Sequence, residues 1–319
     1  MKGVRVLSIK STWLNWKEIL RAFSWPASLI SLALSAVLAA DTTEINWLLL
    51  SAMALGVILM HTGANIVNEY YDVSFGIDSL EDERASSVLL ENRLKPETAL
   101  TAALIMIGIF LCGIVLFTWL FELPLLPVFG LLAALGGYFY TAPPLKLKYR
   151  SLGPLVIFVL FGPLLALAGY YALTGEITLL PVWLSLPPGI LVSALLQAND
   201  LRDYSPERSL TPADRFGLKR AAYIYIGMLI LPYLLVLYFI MIGLTSYFTL
   251  AVFLALPLKI KFILRTLQGL KRKNSIINQD NCLTDEKDNL PPPEFIGLDE
   301  DTGKLHLIFG LLWLFTLAV

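Results

Sequence analysis

The chain has 319 residues, of which 57% are hydrophobic and 15% are charged, and its mean hydropathy is +0.70. Soluble domains carry about 25% charged residues, so this composition excludes an ordinary soluble protein. The net charge of -1 gives no reason to expect a nucleic-acid partner. Because the apolar residues come in blocks and not in stripes, we expect an all-α protein that crosses a membrane several times.

The N-terminal residues 1–23 are amphipathic. They mix basic residues with large apolar ones, and no compact apolar core precedes a small-residue cleavage site. We therefore expect this segment to lie along the membrane surface before the first span.

Nine apolar segments approach the length of about 20 residues that a helix needs to cross a bilayer. We predict spans at about residues 24–40, 46–68, 98–120, 124–141, 152–173, 178–200, 220–242, 245–267 and 304–319. The 24 Lys and Arg residues lie before the first span or in and around every second loop. By the positive-inside rule, this segregation predicts a cytoplasmic N-terminus and an external C-terminus. We expect a multi-pass protein of the cell (plasma) membrane.

The polar segments favour one transmembrane domain over residues 1–319, without a separate soluble domain. Two cytoplasmic loops, at about 69–97 and 200–219, are rich in acidic residues. A further polar stretch at 271–303 contains three successive prolines and is predicted to be flexible.

The sequence NIVNEYYDVSFGID, at residues 65–78, follows directly on the second apolar segment. The spacing of Asn65, Asn68 and Asp72 places them on one face of a helix. Gly76 is positioned to end that helix, and Asp78 follows it. Polar groups of this kind are costly in hydrocarbon unless a partner binds them. We refer to the two Asn and two Asp residues as the first cluster.

A related pattern ends the sixth apolar segment. Asn199, Asp203 and Glu207 also fall on one helical face, and we refer to them as the second cluster. Both helix ends share one pattern, at residues 68–72 and 199–203: an Asn is followed directly by an acidic residue, and an Asp comes three positions after that acidic residue. Since the clusters are four predicted spans apart and both lie at cytoplasmic helix ends, they indicate a weak internal repeat.

Amide and carboxylate oxygens are the ligands that Mg²⁺ prefers, usually together with substrate phosphates and water. Two such clusters at one membrane face predict Mg²⁺ ions that bridge a diphosphate, and the basic residues Arg84, Lys146 and Lys148 on the same side would complete its binding. The adjoining apolar helices favour a lipid diphosphate. Loss of that diphosphate with metal assistance gives a carbocation, which aromatic rings stabilise. Tyr71 and Tyr140 are among the tyrosines near these helix ends.

Three stretches resemble the UbiA superfamily of intramembrane prenyltransferases: NIVNEYYDVSFGID (65–78), YFYTAPPLKLKYRSLGPLVIFVLFGPL (138–164) and NDLRD (199–203). The similarity runs from about Trp16 to Trp313, and the most similar branch is the MenA type, the 1,4-dihydroxy-2-naphthoate polyprenyltransferases. This resemblance implies nine helices around a central cavity, with Mg²⁺ as the cofactor. It also implies transfer of a polyprenyl chain from its diphosphate to an aromatic acceptor, here dihydroxynaphthoate in menaquinone biosynthesis.

The resemblance assigns roles by position. The residues that match the family's metal motifs are Asn68, Asp72, Asp78, Asn199 and Asp203. Glu207 falls where the family has an Asp, and the stretch after it is shorter than usual, so that either Glu207 or Asp214 would complete the second motif. Tyr140 and Lys148 match an element that assists diphosphate departure, and Arg84 matches an Arg of the following loop. Asp72, Asp203, Tyr140 and Lys148 are the implied catalytic residues.

Several alternatives stay open. The acceptor could instead be 4-hydroxybenzoate, a tetrapyrrole or a glyceryl phosphate lipid, and the sequence does not give the prenyl chain length. A secondary transporter is the candidate from another class, although its acidic residues would be expected near the bilayer midplane. His61 lies one turn before Asn65, and we expect both, with Tyr71, to line the cavity; a structural polar contact is the other interpretation of His61.

Overall fold

A computed structural model describes residues 9–77, 87–91, 93–205, 211–279 and 291–319 of the chain. These residues form helices and turns, and no strand occurs among them, which confirms the all-α prediction. The main helices are α1 (Ile9–Ile19), α2 (Pro26–Ala40), α3 (Trp47–Ser74), α4 (Pro96–Phe121), α5 (Leu126–Phe139), α6 (Gly153–Thr174), α7 (Leu180–Arg202), α8 (Pro212–Phe216), α9 (Leu218–Met241), α10 (Leu256–Gln279) and α11 (Leu298–Leu317).

Six of the described helical segments are long and apolar enough to cross a membrane. They are α3, α4, α6, α7, α9 and the segment Tyr247–Lys273, in which a 3-10 stretch leads into α10. A seventh span results if α2 is counted together with the helical segment before it.

Each of the nine predicted spans falls on a helix. The predicted helices are therefore present, and only the number of full membrane spans is approximate. Three of these helices do not meet the length and composition of a full span on their own. Helices α2 and α5 have 15 and 14 residues. Helix α11 begins with three acidic residues, at positions 299–301.

The polar stretches begin later than the sequence suggests. Helix α3 continues to Ser74 and α10 to Gln279, so each carries part of the predicted loop that follows it. Helix α1 coincides with the segment that was expected to be amphipathic.

The chain divides into two compact units. Unit 1 comprises Met1–Trp25 and Ser51–Lys146, and unit 2 comprises Pro26–Leu50 and Leu147–Val319. The first cluster belongs to unit 1 and the second to unit 2. The assignment of residues 1–319 to one functional domain stays a prediction.

In unit 1, α3 packs closely against α4 and α5 through glycines. A Cβ at Gly137 would lie 2.6 Å from Cε of Met60, and one at Gly63 would lie 3.1 Å from the carbonyl oxygen of Ala103. A Cβ at Gly137 would force the Met60 side chain to move, and one at Gly63 would be tighter than nine in ten real Cβ contacts, so glycine permits the close approach of these helices. The close packing fixes α3, whose last two turns carry the first cluster.

Unit 2 is built around α7. In the most apolar 18-residue stretch of α7, 61% is buried inside the protein, compared with 17–33% in the other candidate spans. The helix packs against α2, α6, α9 and α11. It approaches α6 closely at Gly162 and Gly189, and the indole Nε1 of Trp313 in α11 donates a hydrogen bond of 2.9 Å to the carbonyl oxygen of Leu184. The end of this central helix carries the second cluster.

Candidate functional site

The first cluster lies at the end of α3. Asn65, Asn68 and Asp72 share one face of that helix, and Asp72 is only 5% exposed. The helix stops at Ser74, and Gly76 follows with a φ of +66°. The N–H groups of Gly76 and Ile77 donate to the carbonyl oxygens of Val73 and Asp72 at 3.0 and 2.9 Å. This is the glycine-dependent helix end that the sequence predicts.

Asp78 is the fourth member of the first cluster, and Arg84 is the basic residue expected beside it. Both lie outside the described residues, and their roles in metal and diphosphate binding stay predictions.

Aromatic rings and one cation surround the end of α3 in unit 1. The rings of Tyr71 and Phe75 stack at a centroid distance of 5.4 Å, and the hydroxyls of Tyr71 and Tyr138 are 3.4 Å apart. Nζ of Lys146 lies 3.7 Å from the centroid of the Phe75 ring. The structure therefore brings two predicted residues, Tyr71 and Lys146, to one aromatic cluster, which we call the aromatic group (Tyr71, Phe75, Tyr138).

His61 and Asn65 share a serine partner. Nε2 of His61 lies 3.3 Å from Oγ of Ser24, and Nδ2 of Asn65 donates to the same oxygen at 3.1 Å. The Ser24 hydroxyl donates its single proton to the carbonyl oxygen of Arg21 at 2.8 Å. Which atom donates in the contact between His61 and Ser24 depends on the tautomer of the imidazole. This network is compatible with the structural interpretation of His61.

Tyr140 directly follows α5 and is 8% exposed. Its hydroxyl is buried, and the next residue, Thr141, is fully buried. Both belong to unit 1. The part that Tyr140 plays in diphosphate departure stays a prediction.

The second cluster lies where α7 ends. The helix stops at Arg202, and the N–H of Asp203 donates to the carbonyl oxygen of Asn199 at 2.9 Å. The carboxylate of Asp203 accepts two hydrogen bonds from Arg202, at 2.8 Å from Nε and 2.8 Å from Nη2. Asp299, in the first turn of α11, binds Nη1 of the same guanidinium. The guanidinium of Arg202 therefore binds two carboxylates, those of Asp203 and Asp299.

Lys148 is associated with the second cluster within unit 2. It opens a short 3-10 turn before α6, and its charge acts on Asp200 of α7. Asp200 is 8% exposed, and its buried Oδ2 has no hydrogen-bond partner among the described residues. Asp203 and Arg202 also interact electrostatically with Asp200. The role of Lys148 in diphosphate binding stays a prediction.

Asp214 closes the loop that follows the second cluster. Its Oδ1 accepts from the N–H of Ser205 at 2.9 Å, and its Oδ2 accepts from the N–H of Thr211 at 3.1 Å. Oγ1 of Thr211 accepts from the N–H of Asp214 in return, which completes a capping box at the start of α8. Both carboxylate oxygens therefore bind backbone, which favours a structural role over metal binding. Glu207 lies outside the described residues.

Arg215 connects α8 with the turn that carries Lys148. Its Nη2 donates to the carbonyl oxygen of Tyr149 at 3.0 Å. The loop after the second cluster is thereby tied to the residue next to Lys148.

The chemistry of the donor set fits Mg²⁺. Both helix ends offer amide and carboxylate oxygens, and the buried Oδ2 of Asp200, which has no hydrogen-bond partner among the described residues, adds a further carboxyl oxygen near the second cluster. Within the described ranges, no three His, Cys, Asp or Glu side chains come together as a metal-binding group. Mg²⁺ commonly uses only one or two protein carboxylates and takes its other ligands from substrate phosphates and water. Asp72 with Asn68, and Asp203 with Asn199, would be sufficient protein ligands.

Three residues near the clusters were missed by the sequence analysis. Phe75 lies beneath Lys146, and Arg202 and Asp299 form ion pairs at the second cluster. Arg202 is part of the quoted NDLRD stretch, and its position next to Asp203 was a usable signal. Nothing local pointed to Asp299, which is 97 residues from Arg202.

Comparisons with known proteins support the family resemblance seen in the sequence motifs. Residues 28–277 match the UbiA prenyltransferase family. The chain is 26% identical over 269 residues to 1,4-dihydroxy-2-naphthoate octaprenyltransferase from Bacillus subtilis (strain 168), an alignment covering 82% of this chain and 84% of that protein. It is 32% identical over 242 residues to UbiA prenyltransferase domain-containing protein 1 from Danio rerio, covering 73% of this chain and 70% of that protein.

A solved structure shares the fold. The UbiA homologue from Archaeoglobus fulgidus, bound to GPP and Mg²⁺, superposes with a TM-score of 0.56 at 16% identity, covering 94% of this chain and 99% of that one. The resemblance found in the motifs is therefore confirmed over most of the chain. The chain belongs to the UbiA prenyltransferase family and is an all-α, multi-pass membrane enzyme of that class.

Proposed function

We propose that this enzyme transfers a polyprenyl chain from its diphosphate to 1,4-dihydroxy-2-naphthoate, with Mg²⁺, in menaquinone biosynthesis. The observation that carries the proposal is the pairing of an Asn and an Asp at the end of two apolar helices, α3 and α7. The similarity to the Bacillus subtilis octaprenyltransferase supports the choice of acceptor.

The bonds made and broken define what the chain has to do. The allylic C–O bond breaks, and the diphosphate leaves with the bonding electrons. A ring carbon of the acceptor attacks the resulting cation, and the new C–C bond is followed by loss of carbon dioxide from a naphthoate or of a proton from other aromatic acceptors. Bound Mg²⁺ would withdraw electron density from the leaving oxygen and so make it a better leaving group.

In this proposal the oxygen atoms of the first and second clusters would hold Mg²⁺, which would supply the positive charge that a diphosphate needs. Asn68 and Asp72 would hold one Mg²⁺, and Asn199 and Asp203 would hold another. Lys146 and Lys148 add positive charge that binds phosphate oxygens directly. Asp78, Arg84 and Glu207 keep the metal and diphosphate roles given by the family resemblance.

The aromatic group would stabilise the allylic cation and its prenyl chain. The rings of Tyr71 and Phe75 stack, and the hydroxyl of Tyr138 contacts that of Tyr71, in unit 1. Such rings attract a cation by about 0.5–2 kcal/mol each, more when water is excluded. A buried Tyr140 hydroxyl would donate to a departing phosphate oxygen.

The reaction would take place at the cytoplasmic side of the plasma membrane. The distribution of Lys and Arg along the sequence supports this orientation, because the residues of both clusters lie on the side that is rich in basic loops. Water-soluble acceptors and diphosphates would then reach the clusters from the cytoplasm, and the prenyl chain from the bilayer.

The test is an acceptor panel. Purified protein in lipid nanodiscs is given polyprenyl diphosphates of several lengths with dihydroxynaphthoate, 4-hydroxybenzoate, a chlorophyllide or glyceryl phosphate, with and without Mg²⁺. The proposal expects a prenylated, decarboxylated naphthalenediol by mass, formed only with Mg²⁺. Product from another acceptor alone would contradict the acceptor assignment. Substrate movement across vesicles without any prenylated product would favour a transporter.

A further inference from the structure

The guanidinium of Arg202 is shared by two carboxylates from different helices. Asp203 binds Nε and Nη2, each at 2.8 Å, and Asp299 binds Nη1. The side chain of Arg202 is 21% exposed and that of Asp299 only 12%, so this ion pair lies mostly out of water. A partly buried guanidinium needs such partners because its charge is poorly solvated there.

Asp299 has a second carboxylate oxygen that could also bind the guanidinium of Arg202. Its Oδ2 binds Arg202, whereas its Oδ1 is buried and has no hydrogen-bond partner among the described residues. A carboxylate can accept a bidentate pair of hydrogen bonds from one guanidinium. Asp299 can therefore take a larger share of Arg202 without the arrival of another group.

Binding of a divalent cation by Asp203 conflicts with its present contacts. The oxygens that accept from Arg202 are the same ones that would face the metal, and the charge of Arg202 opposes a second cation nearby. For Asp203 to bind metal, Arg202 must keep a counter-ion of its own. The geometry supplies one in Asp299.

We propose that Asp299 is a positioning residue for the second cluster: it retains the Arg202 guanidinium so that the carboxylate of Asp203 can bind a divalent cation. This inference rests on the proposed function, because it assumes that Asp203 is a metal ligand. It joins the first turn of α11 to the metal site at the end of α7, although Asp299 itself contacts neither metal nor substrate.

The chain offers a matched control two residues away. Asp301 lies in the same first turn of α11 and forms ion pairs with Nη1 of Arg265 at 2.8 Å and with Nζ of Lys304 at 3.3 Å. Asp299→Asn and Asp301→Asn remove the same charge from the same helix end. A merely structural role for both residues predicts similar effects.

The experiment measures Mn²⁺ binding by the full-length protein in nanodiscs, with a non-hydrolysable thiolo analogue of a prenyl diphosphate, by electron paramagnetic resonance. Loss of a residue that orients a metal ligand typically weakens metal affinity by about 10–100-fold. Asp299→Asn is expected to weaken Mn²⁺ binding about tenfold or more and to raise the Mg²⁺ concentration needed for half-maximal activity. Asp301→Asn is expected to leave both near the wild-type values.

A rescue variant separates positioning from folding. In the Asp299→Asn background, Arg202→Gln removes the cation that competes for Asp203, so Mn²⁺ affinity should recover. Equal weakening in Asp299→Asn and Asp301→Asn, or no weakening in either, would overturn the inference. Wild-type protein that binds Mn²⁺ but forms no prenylated product with any acceptor would contradict only the proposed function. Wild-type protein that binds no Mn²⁺ would overturn both.

Discussion

Lys146 and Phe75 form a cation–π pair, with Nζ of Lys146 3.7 Å from the centroid of the ring. Phe75 directly follows the helix that carries Asn68 and Asp72, and its ring also stacks on Tyr71. The pair holds a candidate phosphate-binding ammonium next to the first cluster within unit 1. The Phe75 ring covers one side of the Lys146 ammonium and restricts its motion. The N–H groups on the other side of the ammonium can still donate to a phosphate.

Replacing the ring by an aliphatic side chain should weaken substrate binding. Phe75→Leu removes an interaction of about 0.5–1 kcal/mol at an exposed site, so we expect KM for the prenyl diphosphate to rise about two- to fivefold. We also expect kcat to fall, because the same ring belongs to the aromatic group proposed to stabilise the allylic cation. Steady-state kinetics measure this. Phe121→Leu is the control, since Phe121 is similarly exposed, at 37% compared with 39%, and lies at the C-terminal end of α4, away from Phe75 in the sequence. An equal KM for Phe75→Leu and wild type would contradict this role of Lys146.

Neutralising one carboxylate in either cluster should abolish most of the activity. Asp72→Asn and Asp203→Asn keep the side-chain shape and replace a charged metal ligand by a neutral, weaker one, so each should lower kcat/KM by more than the about 100-fold seen for residues that only support a ligand. The melting temperature should change little. If both clusters take part in the same step, the double variant should be hardly worse than the worse single variant. Multiplicative losses would contradict that, and wild-type rates in either single variant would remove that cluster from the mechanism.

The sequence predicts the two clusters well because each is local. Asn68 and Asp72, and Asn199 and Asp203, are four residues apart on an apolar helix, so spacing alone places each pair on one face. The number of spans is less predictable. Helix α5 has only 14 residues, and α11 begins with three acidic residues, so neither is a full apolar span although both are helices.

Contacts between distant segments were not predictable from spacing. The ion pair of Arg202 with Asp299 joins residues 97 positions apart, and the contact of Lys146 with Phe75 joins α3 to a turn beyond α5. Asp214 is an intermediate case. Thr211 and Asp214 have the spacing of a capping box, so the structural role of this carboxylate was legible in the sequence beside its candidate role as a metal ligand.

Asp214 should prove to be a stabilising residue. In Asp214→Asn, the amide nitrogen cannot accept from a backbone N–H, so one of the bonds to Ser205 and Thr211 is lost. We expect the free energy of unfolding to fall by about 1 kcal/mol, as for other helix N-terminal caps, while the Mg²⁺ requirement stays that of the wild type. Thermal unfolding and a Mg²⁺ titration of activity check the two parts. Thr211→Ala, which removes the reciprocal bond, should behave in the same way; a raised Mg²⁺ requirement in Asp214→Asn alone would return Asp214 to the metal site.

Lys148 should matter more than its basic neighbour Arg150. Hydrogen bonds to charged groups contribute about 1.5–3 kcal/mol, so Lys148→Ala should raise KM for the prenyl diphosphate about tenfold or more. Lys148→Arg should recover part of that loss. Arg150→Ala removes the same charge from the same 3-10 turn and serves as the control. Equal effects of Lys148→Ala and Arg150→Ala would leave both residues with a role in membrane orientation only.

Transfer coupled to diphosphate release is the central claim, and one measurement tests it most directly. Purified protein is incubated with labelled polyprenyl diphosphate and dihydroxynaphthoate while Mg²⁺ is titrated, and released diphosphate and prenylated product are counted together. We predict equal amounts of the two, both rising with Mg²⁺, and neither above background in the presence of chelator or in Asp72→Asn. Product formed at the wild-type rate under chelation, or by Asp72→Asn, would contradict the account.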